Sequence, residues 1–138
     1  MVRVTLDTNV IISGLYGAGN PLSLLAAAEA GSIRLKISPA ILAEVADVLQ
    51  REKFGWTAAE ARAATEWLSE IADVVEPKQT VDIIKNDPDD NRILECALAS
   101  RSDFIVSGDK HLLTVRAFQG MPIVKVAEFM QIMQSRGR

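Results

Sequence analysis

Acidic residues at two predicted strand ends are the first part of this sequence that could do chemistry. Asp7 directly follows the alternating segment 2–6, and Asp109 follows the apolar segment 104–107 after one glycine. In open α/β sheets, binding and catalytic residues lie beyond the carboxyl ends of the strands, where the strand order reverses. Either aspartate could instead cap the next helix or form a turn, because short acidic side chains favour both. Both are therefore candidates for an acidic site at the edge of a sheet.

Asp90 is the acidic residue that a purely structural role explains least well. The pair Asp87 and Pro88 predicts an N-cap and a first helical position, so Asp90 becomes the third residue of a helix. At roughly 100° per residue, Asp90 then lies in the middle of an apolar face. That face consists of Ile93, Leu94, Ala97 and Leu98. A carboxylate facing a core is unfavourable unless it is paired, hydrogen-bonded or bound to a metal, whereas attraction to the helix dipole suffices for Asp89.

Glu44 is the fourth acidic candidate, and geometry supports it less. It lies at the flank of the apolar stripe of a predicted helix, roughly 100° from the centre of the stripe. This position is typical of a glutamate on a solvated edge.

Carboxylates that converge on one spot raise each other's pKa, and Mg²⁺ or Mn²⁺ relieves that repulsion because both ions prefer carboxylate oxygens. The chain has one cysteine and one histidine, which argues against structural zinc.

The elements that must position these acids alternate between strands and helices. Predicted strands cover residues 2–6, 33–37, 73–76, 104–107 and 122–124. Predicted helices cover residues 22–30, 39–51, 58–71, 88–99 and 127–134, and most of them begin at a cap or a cap followed by proline. This alternation predicts an α/β fold with a parallel sheet of about five strands, covered by helices on both faces and joined by right-handed crossovers.

Length and composition predict one domain over residues 1–138, with 49% apolar and 24% charged residues. A net charge of −3 argues against a high-affinity nucleic-acid binder with a basic stripe. It leaves room for an enzyme that contacts RNA through metal ions and a few basic residues.

Cys96 is the single cysteine, which suits a reducing cytoplasm. No signal-peptide pattern is visible and no apolar run reaches about 18 residues, so no membrane-spanning helix is expected.

Four groups of short motifs occur along nearly the whole chain, and their order carries more information than any one of them. They are Leu6-Asp7-Thr8-Asn9-Val10, Ala43-Glu44-Val45, Asp87-Pro88-Asp89-Asp90-Asn91 with Leu94-Glu95-Cys96-Ala97, and Ser107-Gly108-Asp109-Lys110. In this order they resemble the PIN-domain nucleases, and more closely the PIN toxins of prokaryotic toxin–antitoxin systems. The resemblance implies a three-layer α/β/α sandwich. It also implies hydrolysis of RNA phosphodiester bonds by metal-activated water, with Mg²⁺ or Mn²⁺ as cofactor.

Site residues and partners also follow from this resemblance. It implies four catalytic acids that bind the metal: Asp7, Glu44, Asp90 and Asp109. Asn9 and Ser107 match polar positions beside the site and are expected to position the substrate. Lys110 could hold a phosphate or be solvated. The resemblance further implies an antitoxin partner and a homodimer, with helical regions 57–71 and 126–135 as candidate interfaces.

One position departs from the family pattern, and two other functions compete with the nuclease. His111 stands where many relatives carry a further acid, and a single loop histidine is typically a surface residue.

A phosphatase of the haloacid dehalogenase type also uses an aspartate after its first strand, but its motif resembles Asp-x-Asp. Asn9 cannot serve as the acid/base at the second position. A non-catalytic binding module of the same fold is the other alternative, and metal would not stabilise it.

Overall fold

The computed structural model describes residues 1–17 and 19–136. The predicted domain span of 1–138 also includes residues 18, 137 and 138, which lie outside this part. No single helix in the described part is long and apolar enough to cross a membrane, although the first two helices, which meet at 90°, reach that length and apolarity when counted together. The elements are β1 (Arg3–Leu6), α1 (Thr8–Leu15), α2 (Gly19–Ala30), β2 (Arg34–Ile37), α3 (Pro39–Leu49), α4 (Ala58–Ile71), β3 (Ala72–Val74), α5 (Asp90–Ser100), β4 (Phe104–Val106), α6 (Lys110–Val115), β5 (Ala117–Phe118), β6 (Met121–Val124) and α7 (Val126–Arg136).

The six strands form one sheet in the order β3-β2-β1-β4-β6-β5. Every neighbouring pair is parallel except β5 and β6. The sheet is therefore larger than the expected five strands, and it is not wholly parallel. The reason is a hairpin at one edge, where Gln119 and Gly120 both have positive φ angles of 51° and 80° and fit a tight two-residue turn.

The helices cover the sheet on both faces, which confirms the predicted sandwich. For this strand order, the rule that crossovers between parallel strands are right-handed puts α1 to α4 on one face and α5 and α6 on the other. Thr5 of β1 faces the α5 side, where its Oγ lies 2.8 Å from Ser102 Oγ. On the opposite face, Phe104 packs edge-on against Phe129 of α7 with ring centroids 5.5 Å apart. The core is thus divided between the two faces of β1 and β4.

Three elements lie where the sequence predicts none, namely α1, α6 and β5. Residues 10–12 of α1 are a β-branched run with high strand propensity, but helix packing buries all three, Val10, Ile11 and Ile12. The close approach of α2 to α1 fits this packing, because a Cβ on Gly14 would lie 2.6 Å from the side chain of Leu25. Tertiary contacts, and not local propensity, therefore decide the conformation of α1.

The start of α5 also differs from the prediction. The helix begins at Asp90 and not at Pro88. The preceding residues form a tighter turn, in which the N–H groups of Asp90 and Asn91 bond to the carbonyls of Asp87 and Pro88, three residues back. Such i to i+3 bonds define a 3₁₀ turn, which aligns side chains three residues apart. The side chains of Asp87 and Asp90 therefore lie on the same side of this turn.

Candidate metal and catalytic site

The acids meet where the strand order reverses. From β1 the chain runs to β2 on one side, whereas β4 pairs with the other side of β1. Asp7 directly follows β1, and its backbone N–H donates to the carbonyl of Val106 at the end of β4, over 2.9 Å. Asp109 lies three residues beyond Val106. The sheet therefore brings together the two acids that the sequence places at strand ends.

Ser107 links these two acids through its hydroxyl. Its Oγ donates to Asp7 Oδ2 over 2.7 Å and accepts from the backbone N–H of Asp109 over 2.9 Å. The Ser107 side chain is fully buried, so it is not available to contact a substrate. The expectation that Ser107 positions substrate is therefore corrected, and its contacts show that it holds the two aspartates.

Asp109 caps helix α6, as one of the two sequence interpretations allowed. Its Oδ1 accepts from the backbone N–H groups of His111 and Leu112, over 2.7 and 3.3 Å. The cap uses this one oxygen. The second carboxylate oxygen is not needed for it, so capping and ligand binding are compatible at this residue.

Asp90 faces inward, which confirms its predicted orientation, although it is the first residue of α5 and not the third. It is 6% exposed, and its Oδ2 is buried without a hydrogen-bond partner among residues 1–17 and 19–136. Burial raises the pKa of Asp90 to about 8, and repulsion from Asp109 adds to the rise. Asp87 and Asp7 act in the same direction more weakly. A buried carboxylate oxygen of this kind among like charges fits a bound cation, which would offset both the burial and the repulsion.

Asp87 joins this site, which the sequence reasoning missed by assigning the residue only to a helix cap. One carboxylate oxygen each of Asp87, Asp90 and Asp109 lies within 4.8 Å of the other two. The i to i+3 spacing of Asp87 and Asp90 was the available signal, because a 3₁₀ turn aligns such a pair. We refer to Asp87, Asp90 and Asp109 as the aspartate cluster.

Asp7 and Glu44 lie beside the aspartate cluster. Asp7 is 3% exposed, and burial, with a contribution from Asp109, raises its pKa against the opposing hydrogen bond from Ser107. Glu44 is half-buried on α3, and its Oε1 accepts a hydrogen bond from the hydroxyl of Thr8. Burial, and then repulsion from Asp89 and Asp7, raises the pKa of Glu44. Asp7 thus lies close enough to both Glu44 and the cluster to couple them electrostatically.

The remaining predicted residues lie at the rim of the site. Asn9 and Lys110 are exposed, in the first turns of α1 and α6. The half-buried His111 lines a groove of about 240 Å³ together with Lys85. On the Glu44 side, a groove of about 420 Å³ includes two arginines, Arg51 and Arg92. Basic side chains therefore lie on two sides of an acidic centre.

The donor atoms of the site fit a hard divalent cation. They are carboxylate oxygens, which Mg²⁺ and Mn²⁺ prefer over the nitrogen and sulfur ligands of zinc sites. The pKa of each of Asp7, Glu44 and Asp90 is raised in the absence of a cation. A bound cation would reverse the repulsion that contributes to these shifts.

Comparisons with known proteins agree with this description. The family model of the PIN domain matches residues 3–111. The structure of VapBC-1 from nontypeable Haemophilus influenzae is similar with a TM-score of 0.63 and 18% sequence identity, covering 91% of this chain and 99% of that chain. VapBC2 from Rickettsia felis, bound to a DNA fragment from their promoter, is similar with a TM-score of 0.58 and 14% identity, covering 90% and 98%. No curated protein sequence matches the chain. At these identities, the structural likeness concerns the fold alone.

Proposed function

The chain belongs to the PIN domain family, and on that premise we propose that it is an endoribonuclease that depends on Mg²⁺ or Mn²⁺. The observation that carries this proposal is the buried, unpartnered Oδ2 of Asp90 inside a group of acids at the switch point of the sheet. Left alone, such an oxygen destabilises the fold, because burial removes the water that would solvate its charge. A divalent cation offsets this effect, and acids that hold one are the usual means of hydrolysing phosphodiesters.

The side chains divide the work of such a site between binding and positioning. Asp7, Asp90 and Asp109 would hold the metal, with Glu44 completing the set of four acids. When bound, the ion would supply an activated water and positive charge beside the scissile phosphate. Thr8 fixes the carboxylate of Glu44 by a hydrogen bond. Asp7 and Asp90 are buried, so water does not fully solvate their carboxylates. The lower local dielectric strengthens their electrostatic attraction to a cation.

The basic residues at the rim support RNA as the substrate. The net charge of −3 gives no overall attraction to a polyanion, so the attraction must be local. Arg51 and Arg92 lie on the Glu44 side of the acids, and Lys85 lies on the His111 side. In the free protein these side chains pair with Asp47, Glu95 and Asp82, and a phosphate would compete with those carboxylates. We propose that a single-stranded RNA crosses the acids between these two grooves, with Lys110 and Asn9 at the rim available to the strand.

We further propose that the protein is the toxin of a toxin–antitoxin pair and that it acts in the cytoplasm. The fold it shares with the two VapBC structures supports this assignment. An antitoxin would then be its protein partner, and a homodimer its assembly. In the described residues of α4 and α7, Leu68 and Phe129 are buried within the chain, while Trp67 and Met133 are half-buried and could contribute to an interface. Neither the phosphatase nor the binding module gains support from the family match.

A cleavage assay tests the proposed function. Purified protein is incubated with single-stranded RNA and with a small phosphate ester, each with Mn²⁺, with Mg²⁺ or with EDTA. We expect metal-dependent cleavage of RNA and no hydrolysis of the ester. Hydrolysis of the ester alone would favour the phosphatase, and inactivity on both substrates together with the absence of stabilisation by metal would favour the binding module.

A further inference from the structure

We propose that Asp87 is a further metal ligand of this site, so that the metal is held by the aspartate cluster in addition to the acids at the strand ends. The proposal rests on the proposed metal-dependent function and adds a residue to it. Its geometric basis is that one carboxylate oxygen from each of Asp87, Asp90 and Asp109 lies within 4.8 Å of the other two. Two oxygens on one Mg²⁺ lie at most about 4.2 Å apart, because each Mg²⁺–oxygen bond is about 2.1 Å long. Oxygens within 4.8 Å of one another therefore need to approach by at most about 0.6 Å to share one cation.

An acidic cluster on a protein surface is common without a metal, and the environment of Asp90 distinguishes this one. Asp90 is 94% buried, since its exposed fraction is 6%, and its Oδ2 has no hydrogen-bond partner in the part of the chain that the structure describes. Its carboxylate is directed at Asp87 and Asp109, which as carboxylates can offer it no donor when ionised. A cation that satisfies the Asp90 carboxylate at the aspartate cluster would therefore also lie beside Asp87.

The segment that carries Asp87 has no regular secondary structure, yet α5 holds it in place. Asn91 is fully buried, and its Oδ1 accepts from the N–H groups of Ile83 and Ile84, over 3.0 and 2.9 Å. Asn91 Nδ2 donates to the carbonyls of Ile84 and Pro88, over 2.9 and 3.1 Å. One turn further along α5, Glu95 Oε2 accepts from the N–H of Val81 over 2.9 Å. These bonds fix the backbone on both sides of Asp87.

The same turn determines which substitutions test the proposal. Asp87 Oδ1 accepts a hydrogen bond from the backbone N–H of Asp89 over 3.3 Å. Asparagine at position 87 keeps this acceptor and removes the charge, and serine keeps a shorter acceptor. Asp82→Asn is the matched control, because Asp82 lies in the same segment but is exposed and paired with Lys85.

The test is calorimetric titration of the metal-free protein with Mn²⁺ alone, combined with thermal unfolding in EDTA and in Mn²⁺. We expect Asp87→Asn and Asp87→Ser to weaken Mn²⁺ binding at least about tenfold, the lower limit for the loss of even an outer-shell partner. Asp87→Asn should also raise the unfolding temperature in EDTA, because it removes a like charge, while reducing the rise caused by Mn²⁺. A residue that only supports the fold would lower the unfolding temperature in both conditions. Asp82→Asn should bind Mn²⁺ within about twofold of wild type, since an exposed charge is screened.

The outcomes separate this inference from the proposed function. Unchanged Mn²⁺ affinity in folded Asp87→Asn and Asp87→Ser, with weakened binding in Asp90→Asn, overturns the role of Asp87 and leaves the nuclease proposal intact. Mn²⁺ binding that depends on Asp87 in a protein that does not cleave RNA supports the metal ligand and contradicts the nuclease. Absence of Mn²⁺ binding by the wild-type protein overturns both.

Discussion

Ser107 Oγ donates a hydrogen bond to Asp7 Oδ2 over 2.7 Å, although 100 residues separate them along the chain. The same oxygen accepts from the backbone N–H of Asp109. One buried hydroxyl therefore links the ends of two adjacent parallel strands and orients one carboxylate. The order of the strands alone would bring the two aspartates near each other, but it would not orient them.

Removing this hydroxyl should impair catalysis more than folding. We expect Ser107→Ala to lower kcat for RNA cleavage by about tenfold to a hundredfold, as for other groups that orient metal ligands. Steady-state kinetics at saturating Mn²⁺ measure this change. Ser69→Ala, which alters an exposed serine of α4, is the control and should retain wild-type kcat. Equal kcat for the two variants would show that Ser107 does not position the acids.

The stability of the metal-free protein should fall as the pH rises from about 5 to about 9. Burial and the nearby carboxylates raise the pKa of Asp90 to about 8 in the folded protein, against roughly 4 in the unfolded chain. Between these values the folded state binds more protons, so its stability is highest at low pH and is lost as the pH rises through the folded pKa. The raised pKa values of Asp7 and Glu44 act in the same direction.

Urea unfolding in EDTA at several pH values measures this dependence. Asp90→Asn should have a weaker pH dependence and should be more stable than wild type at pH 8, because the amide carries no charge. Asp82→Asn should follow the wild-type curve. A wild-type stability that rises over the same pH interval contradicts the electrostatic description of the site.

Glu44 should matter more for cleavage than for metal affinity. It lies beside Thr8 and Asp89, outside the aspartate cluster. Glu44→Gln keeps an acceptor for Thr8 and removes one charge, so we expect cleavage to fall about tenfold or more and Mn²⁺ affinity to fall less than in Asp90→Asn. Calorimetry and single-turnover kinetics compare the two variants, with the exposed Glu52→Gln as control. A loss of Mn²⁺ affinity equal to that of Asp90→Asn would place Glu44 among the principal ligands.

Asn91 should be a structural requirement of the site. Its side chain makes four hydrogen bonds to the segment before α5, two of them to the buried Ile84. We expect Asn91→Ala to lower the free energy of unfolding by about 3 kcal/mol, because buried backbone groups lose their partners. Mn²⁺ affinity should fall with it, since Asp87 is no longer held. Asn86→Ala, in the same segment but exposed, should change the unfolding free energy little, and equal stability of the two variants would contradict the role of Asn91.

The sequence predicts much of this molecule because most elements carry their own signals. The caps at Ser38 and Thr57 form as expected, with side-chain bonds to Ile41 and Glu60. The placement of Asp90 follows from the helical period, which needs no tertiary information. Helix α6, by contrast, has six residues, which is too short for a periodic pattern to develop.

The rest of the site depends on contacts that a sequence pattern does not encode. Asp87 and Pro88 form a cap-and-proline signal, but the following 3₁₀ turn, whose geometry depends on the bonds from Asn91, brings Asp87 towards Asp90 and Asp109. The place of Glu44 depends on Thr8, which belongs to a helix that the local β propensity hides. The role of Ser107 becomes clear only from its burial between two strands.

The measurement that tests the central claim most directly is cleavage of single-stranded RNA by wild-type protein, Asp90→Asn and Asp82→Asn, each with Mn²⁺ and with EDTA. The structure predicts cleavage by wild type and Asp82→Asn only when Mn²⁺ is present, and none by a folded Asp90→Asn. Full activity of Asp90→Asn, or undiminished wild-type activity in EDTA, would contradict a metal-dependent nuclease built on these acids.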